Sequence, residues 1–521
     1  MVWESEIEEL ARRRALSAKG GTPDRIERRH NQGRLVVRER MEQLADPGSM
    51  QEIGALAGEG TYDGAELTGF MPASYVMGLG KIDGRRVAIG GEDFTIQGGS
   101  SVAPMQRSKG GLGGFVEDLA LEYRIPLVLL IDGAGANIKS VAKMGHTYLP
   151  SSTSFARPVE VMQQVPVVAA VLGSVAGGPA GRAMLAHWNV MTRGMSDLFA
   201  AGPPVVQRAL GHDVTKSQLG GSQIHVHQSG AIDNEADDET DAFHQIRQFL
   251  SYMPSNVWEL PPVRATEDPV ERSEEALLSI VPRNRKRPYN MRTLLKLVVD
   301  EGELFEIKPA FGTSVITSFA RLGGRPVGLV ANNPMQYGGA LDADGADKQG
   351  HFLELCDYFR IPIIYFADIP GFMVGEQAEQ HGTLRSGMRA IWTAMNATVP
   401  SMTVVIRKVY GMGGMATGNA KRLNYRIAWP SGEWGSIPIE GGVEAAYRRE
   451  IAEADDPAQR REEIEAELRS MRSVFRTAES FGVEEIIDPR ETRRYLCQFA
   501  ELAYGSLNHD LGPKPMTGVR P

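Results

Sequence analysis

The chain has 521 residues, 42% hydrophobic and 23% charged, a balance that excludes a disordered or fibrous protein and asks for two domains of similar size. A formal net charge of −9 without a long basic run excludes a dedicated nucleic-acid binder. Two cysteines exclude a disulfide framework, and no apolar run reaches the roughly 20 residues of a membrane-spanning helix.

In chain order, the N-terminus MVWESEIEELARRRA is predicted to be a charged amphipathic helix and not a signal peptide, which together with the cysteine usage points to a reducing cytosol, or in a eukaryote to the mitochondrial matrix although no transit peptide is evident. KIDGRRVAIG, PLVLLID and VPVVAAVLG are short β-rich runs bounded by turn residues. GGFVEDLALEYR, between the first two, carries apolar residues at helical spacing. LGSVAGGPAGRAMLAHW places Gly177-Gly178 after a strand and before a helix. His225 and His227, in IHVHQSG, would share one face of a strand; a structural role is the better reading, because no third metal ligand lies nearby. Residues 256–290, rich in proline and charge, read as a linker.

After that linker the pattern returns. EYRIPLVLLID is answered by YFRIPIIYFAD, and KIDGRRVAIG by RLGGRPVGLV. Asp46-Pro47-Gly48 before Glu52-Ile53 is answered by Asp300-Glu301-Gly302 before Glu306-Ile307. Val165-Pro166 is answered by Val399-Pro400, and each following apolar run ends in glycines: Gly177-Gly178, then Gly411, Gly413 and Gly414. Cys356, in HFLELCDYF, reads as a buried thiol. The expectation is an α/β protein built by internal duplication, with domains at residues 1–255 and 291–521.

The sequence offers no Gly-x-Ser-x-Gly elbow and no phosphate loop of the Walker type. Asp132 and Asp368 end strands, where capping is the usual role. What remains is backbone: paired amides at a helix start form an anion site, which could hold an enolate oxygen. Close helix–strand packing would demand the same small residues, so each glycine pair alone is open to both readings.

Longer motifs carry a resemblance. GGTPDRIERRHNQGRLVVRERMEQLADPGS, EDFTIQGGS, AGPPVVQRALGHDVTKSQLGGSQIHVHQSG, PVGLVANNP, ADIPGFMVG, RKVYG and IIDPRETRR together resemble the carboxyltransferase β subunits of propionyl-CoA and methylcrotonyl-CoA carboxylases, nearly end to end. The resemblance implies two tandem crotonase-like (ββα superhelix) domains, and a dimer-built homo-oligomer, a hexamer, in which the N-domain of one subunit faces the C-domain of another. It implies acyl-CoA on the N-domain and biotin, carried and charged by a separate biotin carboxylase/biotin carboxyl carrier subunit, on the C-domain; no Met-Lys-Met biotinylation site or ATP-grasp region is present. The acyl oxyanion glycines map onto Gly177 and Gly178, and the biotin oxyanion donors onto Met412 and Gly413. Further contacts are implied at Gly98, Gly99, Gly135, Ala136, Gly371, Phe372, Tyr410, Gly411, Gly414 and Met415, with no metal and no membrane or nucleic-acid partner. Biotin itself would be the base, consistent with the missing side-chain catalyst.

The chain departs from that family at three points. Asp132-Gly133-Ala134-Gly135-Ala136-Asn137 stands where an Asp-Ser-Gly-Gly-Ala-Arg run is common, so a positive charge is lost. Pro179 stands for alanine, and Met415 for an acyl-selecting Asp. A decarboxylase running the transfer in reverse, a CoA-binding paralogue without catalysis, and a crotonase-type hydratase or hydrolase are the competing readings. The hydratase would need carboxylates beside the enolate site.

Overall fold

Leu127–Ile131 and Val167–Val171 are buried along their whole length, as is Ile363–Ile369 later in the chain. Strands that show no polar face must be covered on both sides, which suits parallel pairing between helix layers. The computed structural model describes residues 2–100, 106–111, 113–135, 145–147, 149 and 151–514. The chain divides into two units, one running up to Glu259 and taking in the described residues from Gly512 on, the other Leu260–Leu511.

The first unit holds a sheet of β1 (Gln51–Glu52), β2 (Tyr75–Ile82), β3 (Arg85–Glu92), β4 (Leu127–Ile131), β5 (Val167–Val171), β6 (Trp188–Thr192) and β7 (Asn234–Ala236), neighbours in sequence being neighbours in space. The second unit repeats this with β8 (Phe305–Ile307), β9 (Val315–Leu322), β10 (Arg325–Asn332), β11 (Ile363–Ile369), β12 (Ser401–Tyr410), β13 (Tyr425–Ala428) and β14 (Glu485–Ile486). In each sheet the first three strands are antiparallel and the rest parallel.

The duplication extends to individual bonds. The β2–β3 hairpin turns at Asp83-Gly84 and the β9–β10 hairpin at Gly323-Gly324, all four with positive φ, the left-handed geometry a two-residue hairpin prefers. The Asp46 carboxylate accepts both amides of the first turn at 3.0 and 2.8 Å; Asp300 accepts both of the second at 3.0 and 2.7 Å. Arg247 binds Asp46 and Arg493 binds Asp300. Arg38 pairs with Glu52 as Arg292 pairs with Glu306. Arg124 and Arg360, each before Ile-Pro, both turn left-handed at the end of a helix, Phe115–Tyr123 and Ala343–Tyr358.

In the second unit Leu294, Leu329, Phe366, Ile406, Trp429 and Leu496 share one core. Leu277 and Tyr289, from the proline- and charge-rich stretch, join it. That stretch is therefore packed onto the second unit. Asp268 there accepts Arg272 and the Glu301 amide, and Arg493 lies close to it. The N-terminal helix forms as expected, over Glu4–Ala18.

Candidate functional site

In the first unit three glycine-bearing segments meet beyond the carboxyl ends of β3, β4 and β5. Gly177 has φ 66°, a conformation that lets the chain turn from the short strand Ser174–Ala176 into the helix Gly178–Met184. Its own N–H donates to the Phe199 carbonyl at 3.3 Å. The Gly178 amide is the first of the helix and lies outside the intrahelical ladder, and Pro179 after it has no N–H. Gly135, also left-handed, approaches so closely that a Cβ there would sit 2.5 Å from the Ala176 carbonyl oxygen. The Gly98-Gly99 turn packs against the same loop: a Cβ on Gly99 would lie 2.7 Å from the Asp132 carbonyl, and the Ala134 amide donates to the Gly98 carbonyl at 3.0 Å. The structure thus brings Gly98, Gly99, Gly135, Gly177 and Gly178 together. Ala136 and Asn137 lie outside the described residues.

Asp132 is fully buried, ion-paired to Arg29 and, at 2.9 Å, to Arg40. Arg40 also holds Glu239 at 2.7 Å, and the two carboxylates keep its guanidinium charged despite complete burial. Asp132 is a tether for the loop that follows it.

Beside Gly98 opens a cavity of about 720 Å³ with a basic lining, Arg25, Arg28, Arg29, Arg34 and Lys216, and among the described residues Asp197 is its one acid. Arg25 is held by the Thr95 carbonyl at 3.0 Å, Arg34 by the Met195 carbonyl, and Lys216 by the Ser174 hydroxyl at 3.1 Å. These cations were not singled out from the sequence. The available signal was PDRIERRHN, a helix over Pro23–Asn31 whose arginines at 25, 28 and 29 fall on one side.

The second unit repeats the arrangement. β12 runs into Gly411, φ 55°, and the single turn Gly411–Met415. A Cβ on Gly413 would lie 2.7 Å from the Gly371 backbone. Gly371 itself has φ 141°, and its carbonyl accepts the Leu341 amide at 3.1 Å while Phe372 pairs with Leu341. Gly338-Gly339 reproduces Gly98-Gly99: both are left-handed, and a Cβ on Gly339 would fall 2.2 Å from the Asp368 carbonyl. The sequence reading missed this pair, although reading the duplication through to YGG would have found it. Asp368 is fully buried and bound to Arg407 at 3.0 Å, as Asp132 is to its arginines. Met412 and Met415 are exposed, at 44% and 64%, whereas Tyr410 is buried. The Tyr410 hydroxyl has no hydrogen-bond partner among the described residues, and burial pushes its pKa up to about 12.

His225 and His227 do not lie on a strand. Ser222–His225 is one helical turn: the His225 ring is fixed by the Leu198 carbonyl at 2.6 Å, and Val226 is buried behind it, so tertiary contacts override the alternating pattern. Among the described residues no group of three His, Cys, Asp or Glu side chains could hold a metal, and no helix is long and apolar enough to cross a membrane.

Each unit thus presents a turn walled by main chain, with the nearest acid already committed to arginine. Such a turn can receive a flat, electron-rich oxygen and stabilise developing negative charge by oriented amides. Among the described residues it offers no side chain poised to move a proton.

A model of the carboxyl transferase domain matches residues 28–513. The chain is 35% identical over 504 residues to the propionyl-CoA carboxylase carboxyltransferase subunit of Haloferax mediterranei, covering 95% of both chains. It is 34% identical to the methylmalonyl-CoA carboxyltransferase 12S subunit of Propionibacterium freudenreichii subsp. shermanii, covering 96% of this chain and 94% of that one. A solved transcarboxylase 12S structure, described as a hexamer with methylmalonyl-coenzyme A and methylmalonic acid bound, superposes with a TM-score of 0.87 at 31% identity, over 99% of this chain and 98% of that one.

Proposed function

The chain belongs to the carboxyl transferase domain family, and from that premise we propose that it moves CO2 from carboxybiotin to the α or vinylogous carbon of an acyl-CoA, as the carboxyltransferase subunit of a biotin-dependent acyl-CoA carboxylase. Its fold is two tandem crotonase-like domains from an internal duplication. The observation that carries the mechanism is the pair of glycine-walled turns, one per unit, each beside an aspartate spent in buried ion pairs.

On the first unit the thioester oxygen lies against the Gly177-Gly178 turn, with the Gly178 amide as donor. The basic cavity next to Gly98 takes the phosphates of CoA, whose charge matches Arg25, Arg28, Arg34 and Lys216. On the second unit the amides of Met412 and Gly413 receive the biotin ureido oxygen, and Tyr410 and Phe372 flank it. The fit is supported by Gly413, where no Cβ has room, and by the unpartnered Tyr410 hydroxyl. Carboxybiotin, delivered by a biotin carboxylase/biotin carboxyl carrier subunit, supplies both the CO2 and the base. The chain's own contribution is to bind, align and stabilise charge.

The chain assembles as a homo-oligomer built from dimers, a hexamer like the transcarboxylase 12S structure. It works in a reducing cytosol, a reading supported by two buried free thiols, Cys356 and Cys497. Met415 occupies the acyl-selecting position. A flexible, polarizable side chain favours a branched or longer acyl group over acetyl, each added methylene contributing about 0.8 kcal/mol when buried.

The test is a carboxylation assay of the chain with its biotin-bearing subunit, ATP and bicarbonate against acetyl-, propionyl-, methylcrotonyl- and octanoyl-CoA. Carboxylated product is expected, with acetyl-CoA the poorest substrate. No product from any acyl-CoA would overturn the activity. Acetyl-CoA as best substrate would overturn the pocket reading alone.

A further inference from the structure

Glu92 ends β3 and is 3% exposed, yet its two carboxylate oxygens go to different segments. Oε2 accepts the Asp132 amide at 3.2 Å, at the head of the loop that contains Gly135. Oε1 binds the guanidinium of Arg182, 2% exposed, in the helix that begins at Gly178. Arg182 lies about one turn in from Gly178, so its pull acts on the helix end that carries the amide. The loop is packed against the same carboxylate, since a Cβ on Gly133 would lie 3.0 Å from the Glu92 Cγ. Behind Arg182 stand Tyr75, whose hydroxyl is 3.5 Å from it, and the buried Glu117.

The duplicated half shows what this pair adds. Asn332 ends β10 as Glu92 ends β3, and its side-chain oxygen accepts the Asp368 amide at 3.1 Å. The first of the two bonds is thus conserved between the halves. The second is absent: the turn Gly411–Met415 stops before the position equivalent to Arg182, which is Ala416. Only the first unit ties its strand end to its glycine-capped helix with a buried ion pair.

We propose that Glu92 and Arg182 are positioning residues for the reaction: one carboxylate bridges the Gly133–Gly135 loop and the Gly178 helix and so fixes the Gly178 amide against the thioester oxygen. This rests on the reading of Gly178 as an oxyanion donor. Charge-assisted bonds in a buried site hold geometry tightly, and a displacement near 1 Å in a positioned site costs on the order of a hundredfold in rate. The pair touches no reacting atom itself.

The test uses the double variant Glu92→Gln with Arg182→Met, which removes both charges of the pair together, so that neither partner is left as a lone buried ion. Glu92→Asp, which keeps both charges but is one methylene too short to hold both segments, is the second variant. The readouts are the infrared stretch of the 13C-labelled thioester carbonyl in the bound acyl-CoA of the panel above, its dissociation constant, and kcat in the complex with the biotin-bearing subunit. The double variant is expected to bind acyl-CoA within about twofold of the parent chain, to lose at least tenfold in kcat, and to return the carbonyl stretch toward its free value. Glu92→Asp is expected to shift both readouts in the same direction. A carbonyl stretch and kcat at parental values in either folded variant would overturn the proposal. Gly178→Val measured alongside separates the two claims: if it too leaves the carbonyl unmoved, the oxyanion reading itself fails, and if it alone abolishes the shift, only the positioning role does.

Discussion

At the scale of single residues, the site is made by what glycine lacks. Gly135, Gly339 and Gly413 each stand where an added Cβ would press on neighbouring main chain at 2.2 to 2.7 Å. Gly178→Val keeps its N–H but sets a branched side chain beside it that would crowd out the thioester oxygen, and it is expected to lower turnover at least tenfold in a folded protein; losing one oxyanion donor outright typically costs roughly 10²- to 10³-fold. Unchanged kcat/KM in the folded variant would remove Gly178 from the mechanism. Met415→Asp is expected to turn the ranking of the acyl-CoA panel toward the smaller acyl groups, because a carboxylate covered by a bulky apolar acyl chain loses its water and gains no partner. An unaltered ranking would show that Met415 is only packing. The Gly177-Gly178 pair and the Gly411–Gly414 cluster were legible in the sequence because glycines bunched at strand ends are themselves a pattern, whereas Gly98-Gly99 was implied only by the family resemblance. The basic cavity and the Glu92–Arg182 pair were not legible. Their members lie far apart in sequence, and a solitary Arg or Glu reads as a solvated charge until the fold buries it.

At the scale of elements, the strand–turn–helix order and the duplication could be read from short apolar runs and repeated turn residues. The IHVHQSG segment could not, since alternation over so few residues does not distinguish a strand from a helical turn pinned by distant contacts. The stretch around residues 256–290 reads as a linker by composition, but Asp268 anchors part of it. Its carboxylate accepts Arg272 and the Glu301 amide and faces Arg493, partners that outweigh burial and hold its pKa below the usual carboxylate range. A lowered folded-state pKa gives stability that is complete above the unfolded value near 4 and is lost as pH falls through the folded one. Asp268→Asn is therefore expected to destabilise the second unit by about 1.5 to 3 kcal/mol at pH 7. That difference should shrink progressively below pH ~4. Urea unfolding of both proteins at pH 7 and pH 3 checks this, and an equal gap at both pH values would show that the anchoring does not depend on charge.

At the scale of the whole molecule, the chain belongs to the carboxyl transferase domain family and its sequence holds no Met-Lys-Met motif of the kind that carries biotin. Purified alone it is expected to carboxylate no acyl-CoA from ATP and bicarbonate, and its intact mass is expected to be that of the unmodified polypeptide. Covalent biotin on this chain, seen by mass spectrometry, would contradict that division of labour. The resemblance made the two-domain plan legible because its motifs span nearly the full length; how the halves divide their ligands rested on the family and not on local pattern. The main-chain character of both turns carries a further consequence. Truncating side chains to alanine leaves every amide of these turns in place, so a scan that skips the glycines would pass over the candidate site, while Gly→Ala at Gly135, Gly339 or Gly413 would strike it through the added Cβ. The strongest hits of such a scan would be the buried salt bridges, and they would be misread as catalytic. The same separation leaves substrate choice free to drift: side chains such as Met412 and Met415 can be exchanged by selection, whereas the amides, being peptide bonds, can be displaced by a substitution but, proline aside, not removed by one.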